Sequence, residues 1–181
     1  MIEVEIKDLI VKAQNGDKEA FGQIYEVYLT PIYRYFYFRT SDADLANDLT
    51  QDVFIKIFNS LDTYKITDRN PLTYFYTIAR NLLIDNYRRK KIPTIADEAA
   101  ENLLVENETP KTIAEQKDQI SELKQALNQL SENEADALIL KYLDDKSNLE
   151  ISKIMGKSEE AVRQLQSRGI KNLRQIINFK E

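Results

Sequence analysis

Ser158, Glu160, Arg163, Gln164, Ser167, Arg168 and Lys171 fall within one stretch of helical period, and their side chains are of the kinds that hydrogen-bond base edges and phosphate oxygens. Val162, Leu165, Gly169, Leu173 and Ile176 recur through the same stretch at spacings of three and four. They make one face apolar and leave Glu160, Arg163, Gln164, Ser167, Lys171 and Arg174 on the other. A shorter amphipathic pattern runs ahead of it from Ser147 to Gly156, and its start is marked by a capping box, Ser147 with Glu150 three residues on. The pair reads as a helix-turn-helix whose second helix enters a DNA major groove. A helical hairpin with a solvated polar face would share this pattern, so the rest of the chain must decide.

A second set carries different chemistry. Tyr74, Thr77, Asn81, Asp85 and Arg88 follow one another at steps of three or four, opposite an apolar stripe of Leu72, Phe75, Ala79, Leu82 and Leu83. An aromatic ring, amide and hydroxyl groups and a cation then share one face, and Arg89, Lys90 and Lys91 extend it. That combination suits single-stranded nucleic acid, with a ring for stacking, polar groups for an exposed base and cations for the backbone. Arg80 belongs to the same basic cluster. In a third set, Asp44, Asp48, Gln51, Asp52 and Ile55 line the side of a helix whose core stripe is Leu45, Leu49, Phe54, Ile57 and Phe58. An acidic surface with an apolar residue beside it fits a protein partner, although acids in a first turn also favour the helix dipole.

The residues that are missing narrow the class further. The chain of 181 residues has neither cysteine nor histidine, which removes disulfides, the usual zinc sites, Cys-His and Ser-His nucleophiles and the common proton shuttle near neutral pH. No catalytic residue, metal site or cofactor is expected. The opening Met1-Ile2-Glu3-Val4-Glu5 lacks the basic and apolar parts of a secretion signal, and no apolar run is long enough for a membrane span. A cytoplasmic protein without membrane insertion is expected.

A net charge of −5 argues against nucleic acid until its distribution is examined. Residues 1–93 hold 13 acidic and 13 basic side chains, residues 94–122 hold 8 and 2, and residues 123–181 hold 9 and 10. The middle segment thus supplies the whole excess, and its polar composition reads as a flexible acidic linker. Few glycines and prolines and long helical periodicities on either side predict an all-α protein of two small domains. Helices are expected near residues 4–15, 18–39 with a kink at Pro31, 42–60 and 71–91, the last capped by Asn70 ahead of Pro71. Beyond the linker they are expected near 112–129 and 132–143, the latter behind a capping box of Ser131 and Glu134, followed by the helix-turn-helix. The crowded Tyr33, Tyr35, Phe36, Tyr37 and Phe38 are assigned mainly to the core.

Three segments together resemble one family. Asp48-Leu49-Thr50-Gln51-Asp52-Val53-Phe54-Ile55-Lys56, the stretch from Pro71 to Arg89, and Ala161-Val162-Arg163-Gln164-Leu165-Gln166-Ser167-Arg168-Gly169 stand in this order with an acidic linker between the last two. In this they are similar to bacterial RNA polymerase sigma factors of the small extracytoplasmic-function (ECF) group. The resemblance implies region two at 1–92, a linker at 93–121 and region four, with the helix-turn-helix, at 122–181. It implies docking on the clamp helices of the largest subunit of core RNA polymerase through Asp48, Leu49, Gln51, Asp52 and Ile55. It places Tyr74, Thr77, Asn81, Asp85, Arg88, Arg89 and Lys90, with the loop from Asp62 to Asn70, on the minus-ten promoter element. Ser158, Glu160, Arg163, Gln164, Ser167, Arg168 and Lys171 would read the minus-thirty-five duplex. Core polymerase and promoter DNA are the implied partners, an anti-sigma factor is a candidate one, and the free chain is expected to be a monomer. Three departures stand out: Tyr74 where the family often has Trp, a polar Asp144-Asp145-Lys146-Ser147-Asn148 before the helix-turn-helix, and Gly169 where Ala is common, at about 1 kcal/mol of helix propensity. A helix-turn-helix repressor would need a dimerisation heptad and a carboxylate enzyme a clustered acidic site, and neither pattern is evident.

Overall fold

A computed structural model of the protein describes residues 3–40, 42–67, 70–90 and 110–178. The regular elements among them are helical: α1 (Glu3–Gln14), α2 (Lys18–Thr40), α3 (Ala43–Ser60), α4 (Pro71–Lys90), α5 (Pro110–Asn128), α6 (Glu132–Leu138), α7 (Asn148–Met155) and α8 (Glu159–Asn178). Several starts follow from local chemistry. Asp42 accepts from the Leu45 amide at 3.0 Å, and Asn70 accepts from Leu72 at 2.9 Å, which leaves Pro71 where no amide hydrogen is needed. Both expected capping boxes form, Ser131 with Glu134 and Ser147 with Glu150. Gly156 ends α7 in the left-handed region at φ 63°, where a side chain would be strained.

The first unit packs α2, α3 and α4 around Ile24, Ile32, Tyr35, Phe36, Val53, Ile57, Phe75, Tyr76 and Leu83, all nearly or wholly removed from solvent. Edge-on ring contacts, Tyr28 to Phe75 at 4.7 Å and Tyr35 to Tyr76 at 5.8 Å, knit α2 to α4. Of the crowded aromatics, Tyr35, Phe36 and Phe38 are core, while Tyr33 and Tyr37 are half-buried. In the second unit Leu127, Ala135, Leu138, Ile151, Ile154, Val162 and Leu165 form the core of α5 to α8.

Two expectations are corrected. Phe58 is 52% exposed rather than core, because Ile57 and Phe54 already fill the inward side of α3. The continuous helix near 132–143 stops as α-helix at Leu138 and continues as a π-helical turn, Ile139–Leu143, which the Asp144 amide closes onto the Ile139 carbonyl at 3.1 Å. Helix α5, expected near 112–129, runs over Pro110–Asn128, and residues 93–109 lie outside the described ones.

Gly169 has a packing reason that propensity does not reveal. A Cβ there would meet the Leu138 side chain at 3.0 Å and Glu134 Cβ at 3.4 Å, so α8 crosses α6 closely because this position is bare. We expect Gly169→Ala to lower stability by about 1 kcal/mol, since overpacking a filled contact outweighs the gain in propensity. Chemical denaturation measures it, and a stabilised variant would refute the close-crossing explanation.

Candidate functional site

The three residue sets expected to act lie on three different helices, and the fold treats each differently. On α3, Asp48, Gln51, Asp52 and Ile55 are exposed, with Ile55 at 57%. Leu49 is not available to a partner: at 4% exposure it faces the core, because it shares the inward stripe with Val53 and Ala46. Phe58, three residues beyond Ile55, takes its place on the surface and packs edge-on against Phe21 with centroids 5.0 Å apart. The surface is therefore an acidic strip ending in two solvent-facing apolar side chains, which is how anchor residues of a protein interface are presented.

On α4 the expected face divides. Tyr74 and Thr77 line a cavity of about 220 Å³ together with Tyr64, Lys65, Thr67, Asn70, Thr73 and, from α7, Lys153. Tyr74 is half-buried: its ring lies 4.7 Å from that of Tyr64, and its hydroxyl shares a 3.0 Å hydrogen bond with Ser60. The Thr77 hydroxyl donates to the Thr73 carbonyl at 2.9 Å. Burial, with the neighbouring Tyr74 second, pushes the Tyr64 hydroxyl above the ordinary tyrosine range. Asn81, Asp85, Arg88 and Arg89 are exposed and outside the cavity, and Asp85 faces Arg88 at 3.8 Å. The Lys90 side chain lies outside the described residues, as do Asp68 and Arg69 of the preceding loop. Arg80 leaves the basic cluster altogether: it turns inward and donates to Asp136 Oδ2 at 3.0 Å and to Asn133 Oδ1 at 2.9 Å. Lys153 lining this cavity was not foreseeable, since nothing local in the sequence links α7 to α4.

On α8 the arrangement matches the pattern closely. Val162 and Leu165 face the core, and Glu160, Arg163, Gln164, Ser167, Arg168 and Lys171 face solvent. Ser158 caps the helix by accepting from the Ala161 amide at 3.1 Å. Arg163 donates to Glu160 Oε2 at 2.9 Å, and Gln164 Nε2 reaches Glu160 Oε1 at 3.4 Å. These bonds, Arg163 first, hold the Glu160 carboxyl below its ordinary range. Charge is thus laid along the helix in a presented but ordered row. No described helix is long and apolar enough to cross a membrane.

The family model for sigma-70 region 2 matches residues 24–92, and that for sigma-70 region 4 matches residues 120–173. The chain is 28% identical over 172 residues to the ECF RNA polymerase sigma factor BldN of Streptomyces coelicolor, covering 94% of this chain but 65% of that one, just under two thirds of its length. It is 28% identical over 163 residues to the ECF sigma factor SigW of Bacillus subtilis, covering 85% of this chain and 87% of that one. Among solved structures, CnrH in complex with the cytosolic domain of CnrY shares the fold with a TM-score of 0.70 at 20% identity, over 98% of this chain and 99% of that one. RpoE of Bartonella quintana, in complex with the anti-sigma factor NepR, does so at 0.69 and 21%, over 89% and 98%. The chain belongs to the sigma-70 family, the promoter-specific transcription initiation factors of RNA polymerase, and within it to the extracytoplasmic-function group.

Proposed function

We propose that the chain docks on core RNA polymerase through the α3 strip, captures a minus-ten base in the α4 cavity and reads the minus-thirty-five duplex through α8, acting in the cytoplasm without catalysing a reaction itself. Region two then comprises residues 1–92, the linker 93–121 and region four 122–181. The observation that carries this reading is the α4 cavity: two half-buried tyrosines form its wall, and hydroxyl, amide and ammonium groups line it in a volume suited to a single base. An extruded base loses stacking and pairing worth a few kcal/mol, and a ring wall with polar groups around it offsets that loss. Asn81, Arg88 and Arg89 lie farther along the same helix, where they suit the adjacent backbone. Core polymerase and promoter DNA are the partners, and an anti-sigma factor, as named for RpoE, is a third for the same surfaces. Reconstitution tests it: core polymerase with this chain should initiate at a cognate promoter, and the chain alone should not. Tight, symmetric binding of duplex by the free chain would instead favour a repressor.

Within α8 the residues have separable roles. Arg163→Ala and Gln164→Ala should each weaken minus-thirty-five binding by about 1–3 kcal/mol on the cognate sequence only. Lys171→Ala should weaken binding on every sequence and flatten its salt dependence. Holoenzyme titrations on cognate and scrambled duplexes at several salt concentrations distinguish these roles, and equal losses on both duplexes for all three variants would show that the face touches only phosphate.

A further inference from the structure

One of the two rings in the wall of the α4 cavity, Tyr64, stands on a loop, yet its backbone is fixed on both sides. It follows a 3₁₀ turn, Leu61–Thr63, at the end of α3, and its amide donates to the Leu61 carbonyl at 3.0 Å. Its carbonyl accepts from Gln14 Nε2 at 2.7 Å, and the same nitrogen donates to the Leu61 carbonyl at 2.9 Å. Both protons of one side-chain amide are thus engaged by carbonyls three residues apart. Because both partners only accept, the amide must present its nitrogen rather than its oxygen to the loop. Glutamine is the uncharged side chain of this reach that carries two donors on one atom.

Gln14 is well placed to set the geometry of the wall. It is the last residue of α1, which packs on α2 with Ile6, Leu9 and Ile10 buried, so its amide projects from a fixed helix. The contact bridges 47 and 50 positions of sequence, and Gln14 itself is not among the residues that line the cavity. Holding the N–H and the C=O of one residue fixes the direction of its Cα–Cβ bond, and with it where the ring can stand. Tyr64 meets the Tyr74 ring at 4.7 Å, and the Tyr74 hydroxyl is tied to Ser60, one residue before the turn. A shift of the turn would therefore disturb both rings.

We propose that Gln14 is a positioning residue for minus-ten capture: it touches no base, but its amide holds the Leu61–Tyr64 turn so that the Tyr64 ring closes the cavity on an extruded base. This rests on the proposed function of the cavity. The test uses holoenzyme and a single-stranded oligonucleotide, the minus-ten non-template strand of a promoter that it transcribes, with a series bearing one abasic site at each position in turn. Parent holoenzyme should lose affinity at the position whose base enters the cavity. Gln14→Met, which keeps the length and removes both donors, should weaken binding of the intact strand by about tenfold, toward the lower end of what stacking on one ring supplies. It should leave binding of the strand abasic at that position nearly unchanged. Gln14→Glu, of the same size but with acceptors facing two carbonyls, should lose at least as much. Added to Tyr64→Ala, Gln14→Met should cost nothing more, because the two act through one ring. Neither substitution alters the apolar residues of α1, and circular dichroism verifies helical content. Folded Gln14 variants overturn the positioning role if they keep the parental contrast between intact and abasic strands while Tyr64→Ala abolishes it. Equal losses on both strands, or a full further loss on top of Tyr64→Ala, overturn it too. If parent holoenzyme is indifferent to every abasic site, or Tyr64→Ala keeps the parental contrast, the cavity's assignment falls, and the role of Gln14 with it.

Discussion

Asp48→Arg combined with Asp52→Arg should abolish binding to core polymerase while the chain stays folded. The two side chains lie one turn apart on the exposed side of α3, flanked by Gln51 and leading to Ile55 and Phe58, which are 57% and 52% exposed. An acidic rim around apolar anchors selects a basic partner surface, and reversing its sign replaces attraction with repulsion. Like charges brought together at an interface cost several kcal/mol, which translates to a loss of about a thousandfold or more in affinity. Stability should barely change, because the packing of α3 rests on Ala46, Leu49, Val53, Phe54 and Ile57, which the substitutions leave alone. Biolayer interferometry against immobilised core polymerase measures the loss, with circular dichroism as the control for folding. Parental affinity in the double variant would mean that α3 is not the docking surface.

Tyr74→Ala should leave closed-complex formation nearly intact and slow promoter opening. The Tyr74 ring stands against Tyr64 at 4.7 Å and borders the cavity, so a base can use it only after leaving the duplex stack. Stacking on an aromatic side chain contributes about 1–3 kcal/mol, so opening should slow by roughly tenfold to a hundredfold. The structure adds a control, since the Tyr74 hydroxyl is engaged with Ser60 rather than directed only at the cavity. Tyr74→Phe keeps the ring and should retain most of the opening rate; were hydroxyl contact with the base decisive, it would fail as badly as alanine. Permanganate footprinting of holoenzyme on duplex and pre-melted templates reads the step directly. The bubble should rescue Tyr74→Ala, and normal melting of duplex by that variant would sink the assignment.

Much of this protein was legible from its residues alone. Helix periodicity, the caps at Asn70, Ser131 and Ser147, and the glycine turn at Gly156 are local effects, so the all-α class and the element order could be read without any tertiary contact. The α8 face was readable for the same reason: its apolar stripe and polar row differ by helical phase, which spacing reports directly. Phase alone does not say how wide the buried stripe is. Hence Phe58 reads as part of the core stripe, although the packing of α2 on α3 leaves it exposed, while Leu49, inward by phase, entered the docking set only through the family resemblance.

Composition also misjudges charges whose partners are distant in sequence. Arg80 reads as one more cation of a basic cluster, yet its ion pair with Asp136 spans 56 positions, and that of Arg34 with Asp144 spans 110. Gly169 reads as a weak point in a helix and proves to be a contact surface for Leu138. The sequence by itself determined what each helix is and which polar face it carries, because those properties depend on neighbours within a turn or two. Only the tertiary structure decided that region four rests on region two, with Lys153 at the α4 cavity, because that depends on buried charges that become partners only when distant helices meet.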